Sequence, residues 1–162
     1  MSNVEIEVRG LEETQAKMEQ VVRDLQGGEF EQGMRDATLI LTYAAKKNLK
    51  PYQSPTVGGV DRGRLQSSIT PEVRSHGDTM QGVVGSNVEY APFQELGSRP
   101  HWPPLAALEV WARRHGTTAY VVARAIARRG NIPRKFLARA LEDNAEKIFS
   151  LLGRVVAKIV SK

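Results

Sequence analysis

The 162-residue sequence contains no cysteine, and that absence removes thiol catalysis, cysteine-ligated zinc, iron–sulfur clusters and a disulfide-stapled secreted scaffold. It fits a reducing compartment. Long apolar runs are missing too. The longest, around Leu39 to Leu41 and Ala44 to Ala45, is broken by Thr42 and Tyr43 and falls far short of the ~20 residues that span a bilayer. Glu5 and Glu7 stand where a secretory signal would place positive charge before an apolar segment. A soluble cytosolic product, with no membrane partner, is therefore expected.

Recognisable catalytic patterns are equally scarce. There is no HExxH, GxSxG, Walker loop or GxGxxG, and the glycines at Gly58-Gly59 and Gly82 to Gly85 lack the lysine and spacing of a phosphate cradle. His76, His101 and His115 fall in different elements and build no metal face. The carboxylate pairs Glu12-Glu13 and Glu142-Asp143 are chain neighbours, which diverge on a helix and cannot share a substrate. Neither an enzyme nor a bound cofactor or metal is expected.

What is present is an ordinary globular composition. Hydrophobic residues make up 41% and charged residues 25%, which argues against both disorder and a membrane protein. The length suits one domain with its own core. Charge, however, is polarised. Residues 1 to 100 carry 11 basic and 14 acidic side chains, whereas residues 101 to 162 carry 12 basic and only 4 acidic. Between Arg113 and Arg139 lie eight positive side chains, Arg113, Arg114, Arg124, Arg128, Arg129, Arg134, Lys135 and Arg139, with no acidic one among them. Such a stretch projects a positive field. Three uses compete for it: a solvated helix face, a phosphate contact with nucleic acid, or a match to the negative half of a second copy in a head-to-tail ring.

Periodicity predicts an α+β fold: a small antiparallel sheet packed against several helices, with a helical insertion and a long C-terminal helix. Val4, Ile6 and Val8 alternate with charged residues as a strand would. Helical spacing follows in Leu11 to Leu25, stopped by Gly27-Gly28, and again from Phe30 to about Leu49. Residues 50 to 60 hold two prolines and a glycine pair and form a loop. Asp61 is placed to cap a short helix with Arg64, Leu65 and Ile69. Ile69 to Ser75 and Met80 to Ser86 then form a hairpin about His76-Gly77-Asp78. Tyr90 to Leu96 reads as a short helix closed by Gly97, with Tyr90, Phe93 and Leu96 spaced as core residues.

Pro104 suits the first turn of a helix ending near His115, and Thr117 or Thr118 caps another that Gly130 ends. A last helix over about Arg134 to Val160 lines up Leu137, Leu141, Ile148, Leu152, Val155 and Ile159. Trp111 falls at core spacing with Leu108. Trp102, set between prolines, is the better interface aromatic.

Three ordered motifs carry a resemblance. They are Asp61-Arg62-Gly63-Arg64-Leu65-Gln66-Ser67-Ser68-Ile69, the run from Val83 through Tyr90-Ala91, Glu95 and Gly97-Ser98, and Ile132-Pro133-Arg134-Lys135-Phe136-Leu137 with Ala140-Leu141. Together they resemble the minor tail-component and neck proteins of long-tailed bacteriophages, which include tail-completion, tail-terminator and head–tail joining proteins. Arg62 stands where that pattern usually has Thr, and Lys135 where Pro is common. Residues 102–130 look like the helical insertion of a subset of the family, within a single domain over 1–162.

The resemblance implies a structural virion component without catalysis, assembled in the host cytoplasm into a homo-oligomeric ring, expected as a hexamer. Its implied partners are the tail-tube protein and the head connector or stopper proteins, with DNA passing through the lumen without sequence readout. Interface candidates are Arg62, Arg64, Glu95, Trp102, Arg113, Arg114, Arg124, Arg128 and Arg129. Gly85 and Gly97 are expected in turns, Tyr90 and Phe93 as locks between helix and sheet, and Glu95 as a partner of Arg64 or of a neighbouring copy. A small basic nucleic-acid-binding protein is the alternative, favoured if the arginines of 113–139 form one exposed stripe.

Overall fold

In the computed structural model, residues 11–25, 27–49, 63–77 and 79–161 are described. The expected strand at Val4 to Val8, the 50–60 loop, Asp61 and Arg62 lie outside them. The chain order is α1 (Leu11–Leu25), α2 (Gly28–Asn48), α3 (Arg64–Ser68), β1 (Ile69–His76), β2 (Thr79–Ser86), α4 (Ala91–Leu96), α5 (Leu105–Arg114), α6 (Ala119–Arg129) and α7 (Phe136–Val160). This is an α+β arrangement with a two-stranded antiparallel sheet and a long C-terminal helix.

Helices α2 and α7 pack side by side as the spine, with α1 against both and the β-hairpin lying on α2. Small residues permit the close approach. A Cβ on Gly33 of α2 would stand 3.1 Å from Val155 Cγ2 of α7, and one on Gly82 of β2 would stand 2.7 Å from Thr38 Cγ2 of α2. Thr38 and Thr42 are buried on α2, and their hydroxyls donate to the carbonyls of Arg35 and Thr38, so no polar group is buried unsatisfied there. The central cluster is Ala45, Leu49, Ile69, Phe136 and Ala140, flanked by Ala44, Leu65, Val84 and Leu137. Burying a Phe136-sized side chain contributes about 1.5–3 kcal/mol, and Asn48 ties α2 to the same place by donating through Nδ2 to the Phe136 carbonyl.

The β-hairpin runs from Ile69 opposite Ser86 to His76 opposite Thr79, and Gly77 takes the turn at φ +56°. The Ser68 and Ser86 hydroxyls meet at 2.7 Å, joining the end of α3 to the end of β2. Ile69, placed both at the end of the short helix and at the start of the first strand, follows α3 and opens β1 as the strand reading has it, and it is fully buried. The N-cap position of α3 is held by Gly63 at φ +69°.

Several other expectations need correction. Tyr90, Phe93 and Leu96 are exposed, so they neither form core nor lock α4 to the sheet; the inward residue of α4 is Ala91. Leu141 is likewise exposed on α7. Gly85 lies inside β2 opposite Thr70 and makes no turn. The last helix begins at Phe136 because Arg134 and Lys135 are held by backbone bonds to the carbonyls of Gln94 and Glu95.

Candidate interaction surface

Two of the three motifs meet at one junction. The backbone N–H groups of Leu137 and Ala138, in the first turn of α7, both donate to the Glu95 carboxylate at 2.9 Å. A helix N-terminus presents unsatisfied donors and a partial positive charge, which a carboxylate answers directly. Glu95 is thus bound to its own chain. It is not paired with Arg64, which begins α3 and is exposed.

Lys135 precedes the capped turn at φ 52°, ψ 41°, the only non-glycine residue with positive φ among those described. A proline, with φ fixed near −65°, cannot adopt that conformation.

The same junction closes the base of a helical hairpin. Ser98 and Asn131 form an antiparallel bridge, with the Ser98 N–H donating to the Asn131 carbonyl. The Asn131 N–H and Nδ2 both donate to Ser98 Oγ at 3.1 Å. Gly97 and Gly130 flank this bridge at φ +76° and +71°. A Cβ on Gly130 would lie 1.9 Å from the Ser98 carbonyl oxygen, and one on Gly97 2.5 Å from that of Asn131. Both positions therefore require glycine for conformation and for space.

Beyond the bridge, α5 packs against α6, with Ala112 and Ala123 buried between them. Thr118 caps α6 by accepting from the Val121 N–H. Trp111 is half-buried and stacks on His115 with ring centroids 4.1 Å apart. Trp102 is exposed and meets Tyr120 edge to face at 5.7 Å. Tyr120 was not singled out from the sequence; a large aromatic in the first turn of α6, after the Thr118 cap, was the available signal.

The hairpin from Ser98 to Asn131 contains six arginines, no lysine and one acidic residue, Glu109. Its net +5 equals that of the whole chain, because the remaining residues hold seventeen basic and seventeen acidic side chains. Arg99, Arg113, Arg114, Arg124, Arg128 and Arg129 are all exposed. They do not make one stripe with the rest of the 113–139 run: Arg124 and Arg128 share one face of α6, Arg113 and Arg114 sit at the far end of α5, and Arg129 projects from another side. Arg134 lies beyond the hairpin and is half-buried, and burial pulls its pKa below the ordinary arginine value.

No group of three or more His, Asp or Glu side chains among the described residues is arranged to hold a metal. No helix among them is long and apolar enough to cross a membrane. A groove of about 550 Å³ between α2 and α7 is lined by Leu39, Tyr43, Lys47, Asp143 and Lys147 among others, and is open to solvent. Comparison with protein-family models, curated proteins and solved structures finds no match to this chain.

Large apolar side chains are abundant on the outside. Sixteen are exposed, from Met18 on α1 through Tyr43, Phe93, Leu96, Trp102 and Tyr120 to Phe149 on α7. Twelve hydrophobic residues are buried, and six of those are alanine. Among the described residues the buried hydrophobic set is thus half alanine, while large apolar side chains stand exposed on α1, α2, α4, α5, α6 and α7.

Proposed function

We propose that this chain is a structural subunit of a bacteriophage neck or tail, a tail-completion or tail-terminator protein that assembles into a ring joining the tail tube to the head connector. The observation that carries the reading is the excess of exposed over buried large apolar side chains, which calls for protein partners. The motif resemblance supplies the kind of assembly. Within that reading the motif residues act as scaffold: Ser68 and Ser86 join α3 to the hairpin, and Glu95 fastens the α4 turn to α7.

A nucleic-acid-binding role draws on the arginine-rich hairpin, but the arginines are spread over several faces and interleaved with exposed Val110, Tyr120 and Val121, a mixture suited to protein contacts.

The test is negative-stain microscopy and mass photometry of the purified protein with and without tail-tube protein, together with immunogold labelling of particles. Closed rings and label at the collar are expected. A protein that stays monomeric with the tube protein present, or label elsewhere on the particle, overturns the proposal.

A further inference from the structure

Helices α6 and α7 each present an outward stripe whose chemistry is the complement of the other. On α6, Tyr120, Arg124 and Arg128 recur at intervals of four residues, and all three are exposed while Ala123 is buried. On α7, Phe136, Ala140 and Ile148 are buried inward, and Glu142, Glu146 and Phe149 lie together on the opposite, exposed side. At 1.5 Å rise per residue these side chains stand about 4.5–6 Å apart along each axis. Read from N to C, α6 runs aromatic, arginine, arginine. Read from C to N, α7 runs aromatic, glutamate, glutamate. Two such helices laid antiparallel place Tyr120 over Phe149, Arg124 over Glu146 and Arg128 over Glu142.

The four charges are available for that pairing. Among the described residues Arg124, Arg128, Glu142 and Glu146 form no ion pair and no side-chain hydrogen bond. Nor do the stripes meet within one molecule, since α6 packs chiefly on α5 and makes no extended contact with α7.

We infer that copies of this chain dock head to tail, the Tyr120–Arg124–Arg128 face of one subunit seating antiparallel on the Glu142–Glu146–Phe149 face of the next. This rests on the ring reading above and names the surfaces that would build the ring. The two patches are different, so the contact is heterologous and propagates from copy to copy until rotation closes it. Opposed charges set the register and orientation, and the aromatic pair supplies a dry anchor at one end. The hairpin's net positive charge then becomes the device that finds the neighbour's Glu142–Glu146 stripe.

Charge reversal tests it. R124E/R128E and E142R/E146R change exposed side chains only, and circular dichroism and melting temperature establish that each variant is folded. By mass photometry across a concentration series, each double variant alone is expected to associate at least tenfold more weakly than the unaltered protein. An equimolar mixture of the two restores assembly, as does the quadruple variant, because every contact again joins opposite charges. Assembly of either double variant at unaltered strength, or a mixture that fails to recover, overturns the inference. If the unaltered protein still forms rings with tail-tube protein in that case, the ring reading survives and only the docking pair is wrong. Should the unaltered protein never self-associate, both fall. Loss of binding to a 20-base-pair duplex by R124E/R128E, with self-association untouched, assigns the arginine face to nucleic acid and likewise overturns the inference.

Discussion

Glu95 offers the sharpest test of how the motifs work, because its carboxylate accepts two backbone N–H groups at the start of α7. In Glu95→Ala the Leu137 and Ala138 amides lose a charged acceptor at a half-buried helix end. Hydrogen bonds to charged groups contribute about 1.5–3 kcal/mol each, but water reaches part of this site and replaces some of that, so a loss nearer the ~2 kcal/mol upper range of helix-cap deletions is expected. For a chain of this length that lowers the melting temperature by roughly 4–8 °C. Glu95→Gln keeps one acceptor oxygen and is expected to fall between. Chemical denaturation of the three proteins at low concentration, with Arg64→Ala as a control expected within about 0.5 kcal/mol of the unaltered protein, reads the effect. If Glu95→Ala leaves stability unchanged at low concentration and instead weakens self-association, the carboxylate serves a neighbouring copy and the capping argument is refuted.

Four further outcomes follow from the same geometry. Lys135→Gly removes a left-handed penalty at φ 52° and is expected to stabilise the fold by ~1 kcal/mol. Lys135→Pro cannot reach that φ and also deletes the N–H that donates to the Glu95 carbonyl at 3.1 Å, for a loss of ~3 kcal/mol; thermal melts of the two should move in opposite directions. Gly130→Ala drives a methyl into the Ser98 carbonyl and is expected to open the hairpin base, seen as faster hydrogen exchange at the Ser98 and Asn131 amides. Phe136→Ala empties the centre of the α2–α7 cluster and should cost about 3–5 kcal/mol in urea denaturation. Finally, the hydrogen bond from Arg74 holds the exposed Glu72 carboxyl below its ordinary pKa. Any stability this gives is present above the ordinary carboxylate value and fades as pH falls through the lowered folded one. An NMR titration should show the Glu72 midpoint return to normal in Arg74→Ala.

The helices and the hairpin were legible because each has a strong local signal. Gly27-Gly28, Gly116 and Gly130 punctuate the helical periods, Thr118 caps α6, and the 69–76 and 79–86 runs are joined by turn residues about Gly77. What the sequence concealed depends on contacts between distant residues. Glu95 and Leu137 are 42 positions apart, and the carboxylate's target is backbone, which leaves no trace in side-chain pattern. The aromatics of α4 misled for a different reason. A six-residue helix is too short to define a face, and its inward position is taken by Ala91. The same substitution of small for large recurs at Ala112, Ala123 and Ala140, all buried at helix contacts. Close helix approach through alanine and glycine displaces the larger apolar residues outward, so spacing alone overstated the core and understated the surface.

That displacement bears on assembly. A chain that packs its helices through alanine leaves aromatics and leucines on its surface, and in the proposed assembly burying them adds roughly 25 cal/mol per Å² of apolar area removed from water. Apolar burial is non-directional, however, and sixteen exposed large hydrophobics invite indiscriminate association unless something selects the partner and the angle. Charge can select. The body of this molecule is neutral and the hairpin carries the entire net +5, so like hairpins repel one another, whereas the inferred docking sets each against the Glu142–Glu146 stripe of a neighbour. On the proposed docking, that charge distribution works against two-fold pairing of hairpins and for a head-to-tail contact, the kind from which a closed ring is built.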